Sequence, residues 1–312
     1  MYYPYLRARQ FELIAIRELA IEGLSQKHVL PIFEPVKDSS NNLRLANKFF
    51  AEHSQKAYLI FNPLVGELRG KTEQIVTFYN ELENNSFIPA FHYRNNSAEI
   101  LQCLEDNNLE NCLMICESET SSEDVEFIAL METDYFSTVS IENPDGNRSL
   151  KRYLFDLDME VVRFDDFFEK QPRNSNFLEV QEHRYSEEHI YYSDEGYYGF
   201  SDYTVVPSEF VTGGSTPLAV VIHLTFLKEN NQIWIRHFTS NSNETIANVQ
   251  GKFAEAAYKA VSFCRANNLT NSAIKDLENF YDNQHYPGLG TVKKIAIKNH
   301  ILVISNYLDS NS

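Results

Sequence analysis

The sequence predicts an α/β protein built on a (β/α)8 TIM-like barrel, irregular in places, with a C-terminal β-hairpin and helical additions. Three observations predict it. Short apolar runs rich in β-formers recur with start-to-start spacings of 28, 30, 25, 24 and 23 residues, the length of a compact strand–helix unit. Amphipathic helical patterns lie between the runs. The runs are apolar on both faces, as parallel strands covered on both sides must be. An open doubly wound sheet is the alternative, because the first strand and the seventh helix are weakly marked.

Taken in order, Tyr2–Arg7 (YYPYLR) reads as the first strand, followed by a helix over Phe11–Ile21. Val29–Val36, Ala57–Pro63, Phe87–Tyr93, Cys112–Glu117, Phe136–Glu142 and Met159–Phe164 are the next six. Gly199–Val206 (GFSDYTVV) is the eighth, after an insertion at 167–198 rich in Tyr, Glu and His, and eight strands close a barrel. Among the helices, Leu43, Ala46, Phe49 and Phe50 form an apolar stripe, and Ser97 precedes Ile100, Leu101 and Leu104. Thr120 with Glu123 makes a capping box ahead of Val125, Phe127, Ile128 and Leu130.

The pattern changes near residue 210. Ala219–Phe226 and Gln232–Thr239 flank the polar tip Lys228–Asn231 and read as an antiparallel hairpin. Ile246, Val249, Phe253, Ala256, Ala257, Ala260 and Cys264 then mark one face of a long helix, and Ile295–Ile304 reads as a last strand. The expected organisation is a barrel core over 1–210, including the insertion, with the hairpin, closing helix and tail over 211–312 packed on it. No low-complexity linker separates them.

Composition narrows the function. There are 27 Lys+Arg against 44 Asp+Glu, a formal net charge of −17, which disfavours nucleic-acid binding through exchange of phosphate counterions. The lysines Lys293, Lys294 and Lys298 are too few to reverse that balance. No uninterrupted apolar stretch approaches the ~18 residues of a membrane span. Arginines occupy the N-terminal segment where a signal peptide needs its apolar core, so a cytoplasmic location is expected. The four cysteines, Cys103, Cys112, Cys116 and Cys264, lack zinc-site spacing and read as buried, reduced thiols. No metal site and no particular cofactor is implied.

In a (β/α)8 barrel the reactive groups stand at the carboxyl ends of the strands. Here those ends offer Arg7 and Gln10; Glu34 and Lys37; Asn62; His92 and Arg94; Glu117; Glu142; Arg163, Asp165 and Asp166; Asp202 and Tyr203. Glu34, Glu117, Glu142 and Asp202, with His92, are the candidate catalytic groups. Arg7, Gln10, Lys37, Asn62, Arg94, Arg163 and Tyr203 are the candidate ligand contacts. Carboxylates gathered at one mouth repel unless a divalent cation, the nearby Arg7, Arg94 and Arg163 or a raised pKa on one acid compensates. These devices prepare metal-assisted hydrolysis, phosphate or carboxylate capture, or acid–base catalysis respectively. The bland alternative is that Glu34 and Asn62 satisfy loop amides and Asp165 or Asp166 caps a helix.

Other features read as structural. His223, mid-strand beside Val221 and Thr225, is a satisfied core histidine, and His237 is similar. Thr212–Ser215 (TGGS) lacks the Walker lysine and reads as a turn. Tyr185, Tyr191, Tyr192, Tyr197, Tyr198 and Tyr203 cluster with acids, a composition suited to a protein-binding surface. No GxSxG elbow, HExxH helix or GxGxxG fingerprint occurs.

Several strings together, YxPYLRxRQFELIAIREL, VLPIFEPVK, LIFNPLVGEL, GFSDYTVVP…GGSTPLAVVIHLTF and WIRHF, resemble the Beta protein family of bacteria and their phages. The resemblance carries no activity or catalytic residue with it. It implies a setting in prophages and mobile islands, in conflict between phage and host, beside a neighbouring effector protein. Arg7, Gln10, Glu12, Glu34, Lys37, Asn62, Asp202, Tyr203 and His223 are the polar residues inside these strings. The expected function is therefore a barrel component of a phage-defence or mobile-element system, acting with a protein partner or as a homo-oligomer and binding a small molecule at its mouth. The alternative is a hydrolase or lyase acting on a small phosphorylated or carboxylated molecule.

Overall fold

The computed structural model describes residues 1–23, 28–213 and 217–311. The turn read at Thr212–Ser215 therefore lies partly outside the described residues. The chain forms two compact units, one of Met1–Leu13, Arg17–Asp166 and Tyr191–Tyr203, the other of Ile14–Ile16, Phe167–Ile190 and Thr204–Ser312.

The first unit is a closed eight-stranded parallel barrel alternating with helices. In chain order it runs β1 (Tyr2–Leu6), α1 (Gln10–Ile21), β2 (Ile32–Phe33), α2 (Asn41–Glu52), β3 (Ala57–Ile60), α3 (Thr72–Asn80), β4 (Phe87–Tyr93), α4 (Ser97–Asn107) and β5 (Cys112–Cys116). It continues with α5 (Val125–Met131), β6 (Phe136–Glu142), α6 (Arg148–Phe155) and β7 (Glu160–Asp165). After β8 (Glu182–Ser186) and the short α7 (Glu188–Tyr191), β9 (Gly199–Asp202) pairs with both β7 and β1 and closes the ring. Gly199 is required there: a Cβ would meet the Tyr3 ring at 2.5 Å and the Met1 carbonyl at 2.6 Å.

Alternation along each strand sorts side chains between the lumen and the helix layer. Tyr3, Tyr5, Ile32, Tyr58, Ile60, Ala90, Leu113, Ile115, Val162, Phe164 and Tyr203 fill the lumen, so it is a packed core rather than a pore. Phe33, on the other face of β2, stacks on Phe50 of α2 and meets Phe87 edge-on, fixing that helix to the sheet. Burying such a ring stabilises the fold by about 1.5–3 kcal/mol.

The strand boundaries differ from the sequence reading in places. The second strand shrinks to Ile32–Phe33, with Val29 making one isolated bridge to Tyr2. The eighth stops at Asp202 rather than Val206, because Thr204 adopts φ +57°, a region that a β-branched residue in a strand does not occupy. The cap of α5 is Asp124, whose carboxylate accepts the Glu126 and Phe127 amides, rather than the Thr120–Glu123 box.

The second unit holds a three-stranded antiparallel sheet in the order β10 (Val221–Leu227), β11 (Ile233–Thr239), β8. The hairpin is the expected one, and its third strand comes from within the 167–198 insertion. Three helices follow, α8 (Val249–Ala266), α9 (Ser272–Asp282) and α10 (Leu289–Ser310). Ile222, Leu224 and Phe238 pack against the stripe Phe253, Ala256, Ala257, Ala260 and Cys264. The residues expected as a last strand, Ile295–Ile304, lie inside α10, where Ile295 through Ile301 are all buried. Burial all round removes the polar face that betrays a helix, leaving a β-branched run that imitates a strand. His223, expected in the core, is only half-buried; its Nδ1 lies 2.7 Å from Nδ1 of the buried His237, with Phe168 and Phe177 against its ring. Burial holds both imidazoles neutral.

Candidate active site at the mouth of the barrel

Alternation decides which strand-end groups share a site. Tyr3 and Tyr5 occupy the lumen, so Arg7, two residues on, follows them. The same count from Ile32, Ala90, Ile115 and Thr138 puts Glu34, His92 with Arg94, Glu117 and Glu142 on the inward side. Tyr203 belongs to the lumen core directly. Arg7, Glu34, His92, Arg94, Glu117, Glu142 and Tyr203 are thus brought together at one end.

The floor of the mouth is a buried hydrogen-bonded network centred on Tyr5. Its hydroxyl donates to Glu34 Oε2 at 2.7 Å and lies 3.0 Å from His92 Nε2. Arg7 pairs with Glu34 and also reaches the Tyr5 oxygen at 3.4 Å. The second Glu34 oxygen accepts the Leu64 amide at 2.6 Å, so this fully buried carboxylate is satisfied on both sides. Because the one Tyr5 proton goes to Glu34, His92 donates from Nε2, and its Nδ1 lone pair is left buried without a partner among the described residues. Burial, helped by the charges of Arg7 and Arg94, pushes the His92 pKa down to about 3, so the ring is neutral at physiological pH.

Above the floor, Arg94 pairs with Glu117 and is half exposed. Glu142 lies beside Glu117 and Asp166. Its pKa is raised by burial first, then by those two carboxylates, against the opposing pull of Arg94 and a hydrogen bond with Tyr203. Tyr203 packs edge-on to Tyr5 with ring centroids 5.0 Å apart, and the Arg7 guanidinium stands 5.4 Å from its ring centre. The mouth therefore offers one accessible guanidinium, one acid biased toward its protonated form and a rigid aromatic floor.

Five expected site residues are elsewhere. Asp202 alternates with Tyr203 onto the outer face, where it accepts the Tyr2 hydroxyl at 2.7 Å. Arg163 alternates with Phe164 and lies outside the lumen, donating to Asp165 at 2.6 Å, Asp145 at 2.7 Å and Glu195 at 3.5 Å. Asn62 clamps the backbone of His92, accepting its amide and donating to its carbonyl, each at 2.7 Å. That is the structural role weighed for it. Lys37 pairs with Glu67 on an exposed loop, and Gln10 is exposed in the first turn of α1. The expectation overlooked Tyr5, the hub of the floor, although stepping back two residues from Arg7 along the strand leads to it.

The tyrosines of the insertion do not form one surface. Tyr185 and Tyr197 are buried, while Tyr191 and Tyr198 are exposed. The four cysteines are free thiols, and Cys112, Cys116 and Cys264 are buried. Among the described residues no three His, Cys, Asp or Glu side chains converge as metal ligands, and no helix is long and apolar enough to cross a membrane.

Fold and geometry define the class: a (β/α)8 barrel with a polar, arginine-bearing mouth and an accessory antiparallel sheet. Comparison of the chain with family models, curated proteins and solved structures finds no match.

Proposed function

We propose that the barrel mouth binds a small phosphorylated or carboxylated molecule and moves a proton on it, as a hydrolase or lyase. Arg94 is the anion contact and Glu142 the general acid–base group. The observation that carries this reading is the convergence of Arg94 and Glu142 over a buried, hydrogen-bonded floor. Both arginines are paired with a carboxylate, but Arg94 is half exposed whereas Arg7 is enclosed, which suits Arg7 to holding the floor in place. Burial and the neighbouring Glu117 and Asp166 carboxylates raise the Glu142 pKa, the direction that favours a carboxyl able to hold and return a proton. Screening phosphorylated and carboxylated metabolites by thermal shift tests the reading. One chemical class should raise the melting temperature, Arg94→Ala should abolish that rise, and Glu142→Gln should keep binding while losing turnover. A screen in which no member of either class stabilises the protein would contradict it.

The Beta protein resemblance favours a second, compatible reading, a component of a phage-defence or mobile-element system with a protein partner or a second copy of itself. Deleting the locus should change phage plating, and co-purification from the native host should recover one stoichiometric partner or a homo-oligomer. Unchanged plating with a monomeric protein would remove it.

A further inference from the structure

The barrel unit has a cavity of about 1020 Å³ at the end opposite the mouth, lined largely by residues that begin the strands or immediately precede them. Its wall is aromatic, with Tyr79, Phe155, Tyr197 and Tyr198 among the lining residues. Among the described residues, the charged side chains that line it are Glu110, Asp158 and Glu160. None of these three carboxylates makes an ion pair among the described residues, in contrast to Glu34 and Glu117 at the mouth.

Glu160 lies on the floor of this groove. It accepts the Thr138 hydroxyl at 3.3 Å, and that hydroxyl in turn lies 3.2 Å from the Tyr58 oxygen. Tyr198, whose ring is exposed, bonds to the same carboxylate. Burial, together with the Glu160 charge, pushes Tyr58 up to about 12 and Tyr198 upward, so both stay neutral phenols. A cation already uses part of this wall: the Lys151 ammonium stands 4.6 Å from the Tyr197 ring centre and 5.5 Å from that of Phe155. The other nearby cation, the Met1 amine, has its pKa pushed down to about 6 by burial and is mostly uncharged near pH 8.

Unpaired carboxylate beside aromatic faces is the chemistry that recognises an organic cation, since each ring face attracts positive charge and the carboxylate anchors it. We propose that this groove is a binding site for a small organic ammonium ion. The charged end rests on Glu160, and the hydrocarbon body lies along Phe155, Tyr197 and Tyr198. The proposal is independent of the chemistry at the mouth.

A protein of net charge −17 attracts polyamines without specificity, so the probe must carry one charge. Isothermal titration with phenethylammonium at about pH 8 and about 0.15 M salt, with 2-phenylethanol as the neutral control, tests the site. The expected result is saturable one-site binding of the amine and none of the alcohol. Glu160→Gln should weaken binding by about 10-fold or more, and Tyr198→Ala by about 3-fold. Glu123→Gln, an exposed carboxylate outside the groove, should leave it unchanged. Melting curves confirm that each variant folds; should Glu160→Gln fail to, Tyr198→Ala, at an exposed ring, decides alone. Absence of saturable binding by the wild type, equal binding of the alcohol, or binding unaffected in the folded groove variants would overturn the proposal.

Discussion

The two ends of the barrel manage negative charge in opposite ways. At the mouth, Glu34 and Glu117 are each paired with an arginine, and Glu142 is left among acids with its pKa raised. At the other end, Glu110, Asp158 and Glu160 line a cavity with aromatic rings and make no ion pair among the described residues. Both arrangements come from the same strands. An inward residue at the start of a strand and another four positions later serve opposite ends, as in Tyr3 and Arg7, Ile88 and His92, or Thr138 and Glu142. One strand can therefore hold an anion-handling group and a cation-handling group without either reaching the other. Chemistry in this fold is assigned by parity and by distance along the strand, not by strand alone.

The largest expected contrast is in stability. Glu34→Ala removes the buried carboxylate that pairs with Arg7 and accepts from Tyr5 and the Leu64 amide, and should cost about 3–5 kcal/mol in urea unfolding. Glu160→Gln removes an unpaired charge while keeping hydrogen-bonding capacity and should change stability by less than about 1 kcal/mol. Equal losses would break the comparison.

Next comes the difference between the inner and outer faces of the strands. Arg163→Ala strands Asp165 beside other carboxylates and should cost about 2 kcal/mol while leaving ligand binding at the mouth intact. Arg94→Ala should do the reverse, altering stability by no more than about 0.5 kcal/mol and removing the anion response. Asp202→Asn, also on the outer face, should not affect the mouth. Loss of ligand response in Arg163→Ala or Asp202→Asn would show that the division by parity is wrong.

A smaller effect lies in pH. The raised pKa of Glu142 contributes stability that is present below its ordinary value of 4.5 and lost as pH rises through the raised one. Glu142→Gln should therefore gain stability relative to wild type as pH is raised. His92 has the opposite sign. Its pKa is depressed to about 3, so its contribution is present above the ordinary 6.5 and lost as pH falls toward 3. His92→Gln should flatten the acid side of the stability profile. Chemical denaturation at several pH values reads both.

The barrel was legible because its signal is long-range and repetitive: even spacing of two-faced apolar runs survives errors at individual boundaries. The mouth was legible only in part. Polarity at a strand end identifies the rim but not the side, so Asp202 and Arg163 entered the set although Tyr203 and Phe164 beside them take the inward places. Tyr5 was passed over because an apolar strand absorbs a tyrosine without comment, and its hydroxyl acquires meaning only beside Glu34 and His92. The hairpin was readable from its polar tip, whereas β8 was not, since Glu182–Ser186 (EHRYS) is polar and gains its strand character by pairing with β11. In α10 the failure was compositional: Ile295–Ile304 is rich in Ile and Val and buried without a break from Ile295 to Ile301, and tertiary packing overrides its local preference.

The proposed site at the mouth holds a small anion through Arg94 and Glu142. Native mass spectrometry of the purified protein, titrated with phosphorylated and carboxylated compounds, tests it most directly, with Arg94→Ala measured in parallel. The account predicts a saturable one-to-one adduct with one of these classes, released on denaturation and absent from the variant. An adduct of equal occupancy in the folded Arg94→Ala protein, or none with either class, would contradict it.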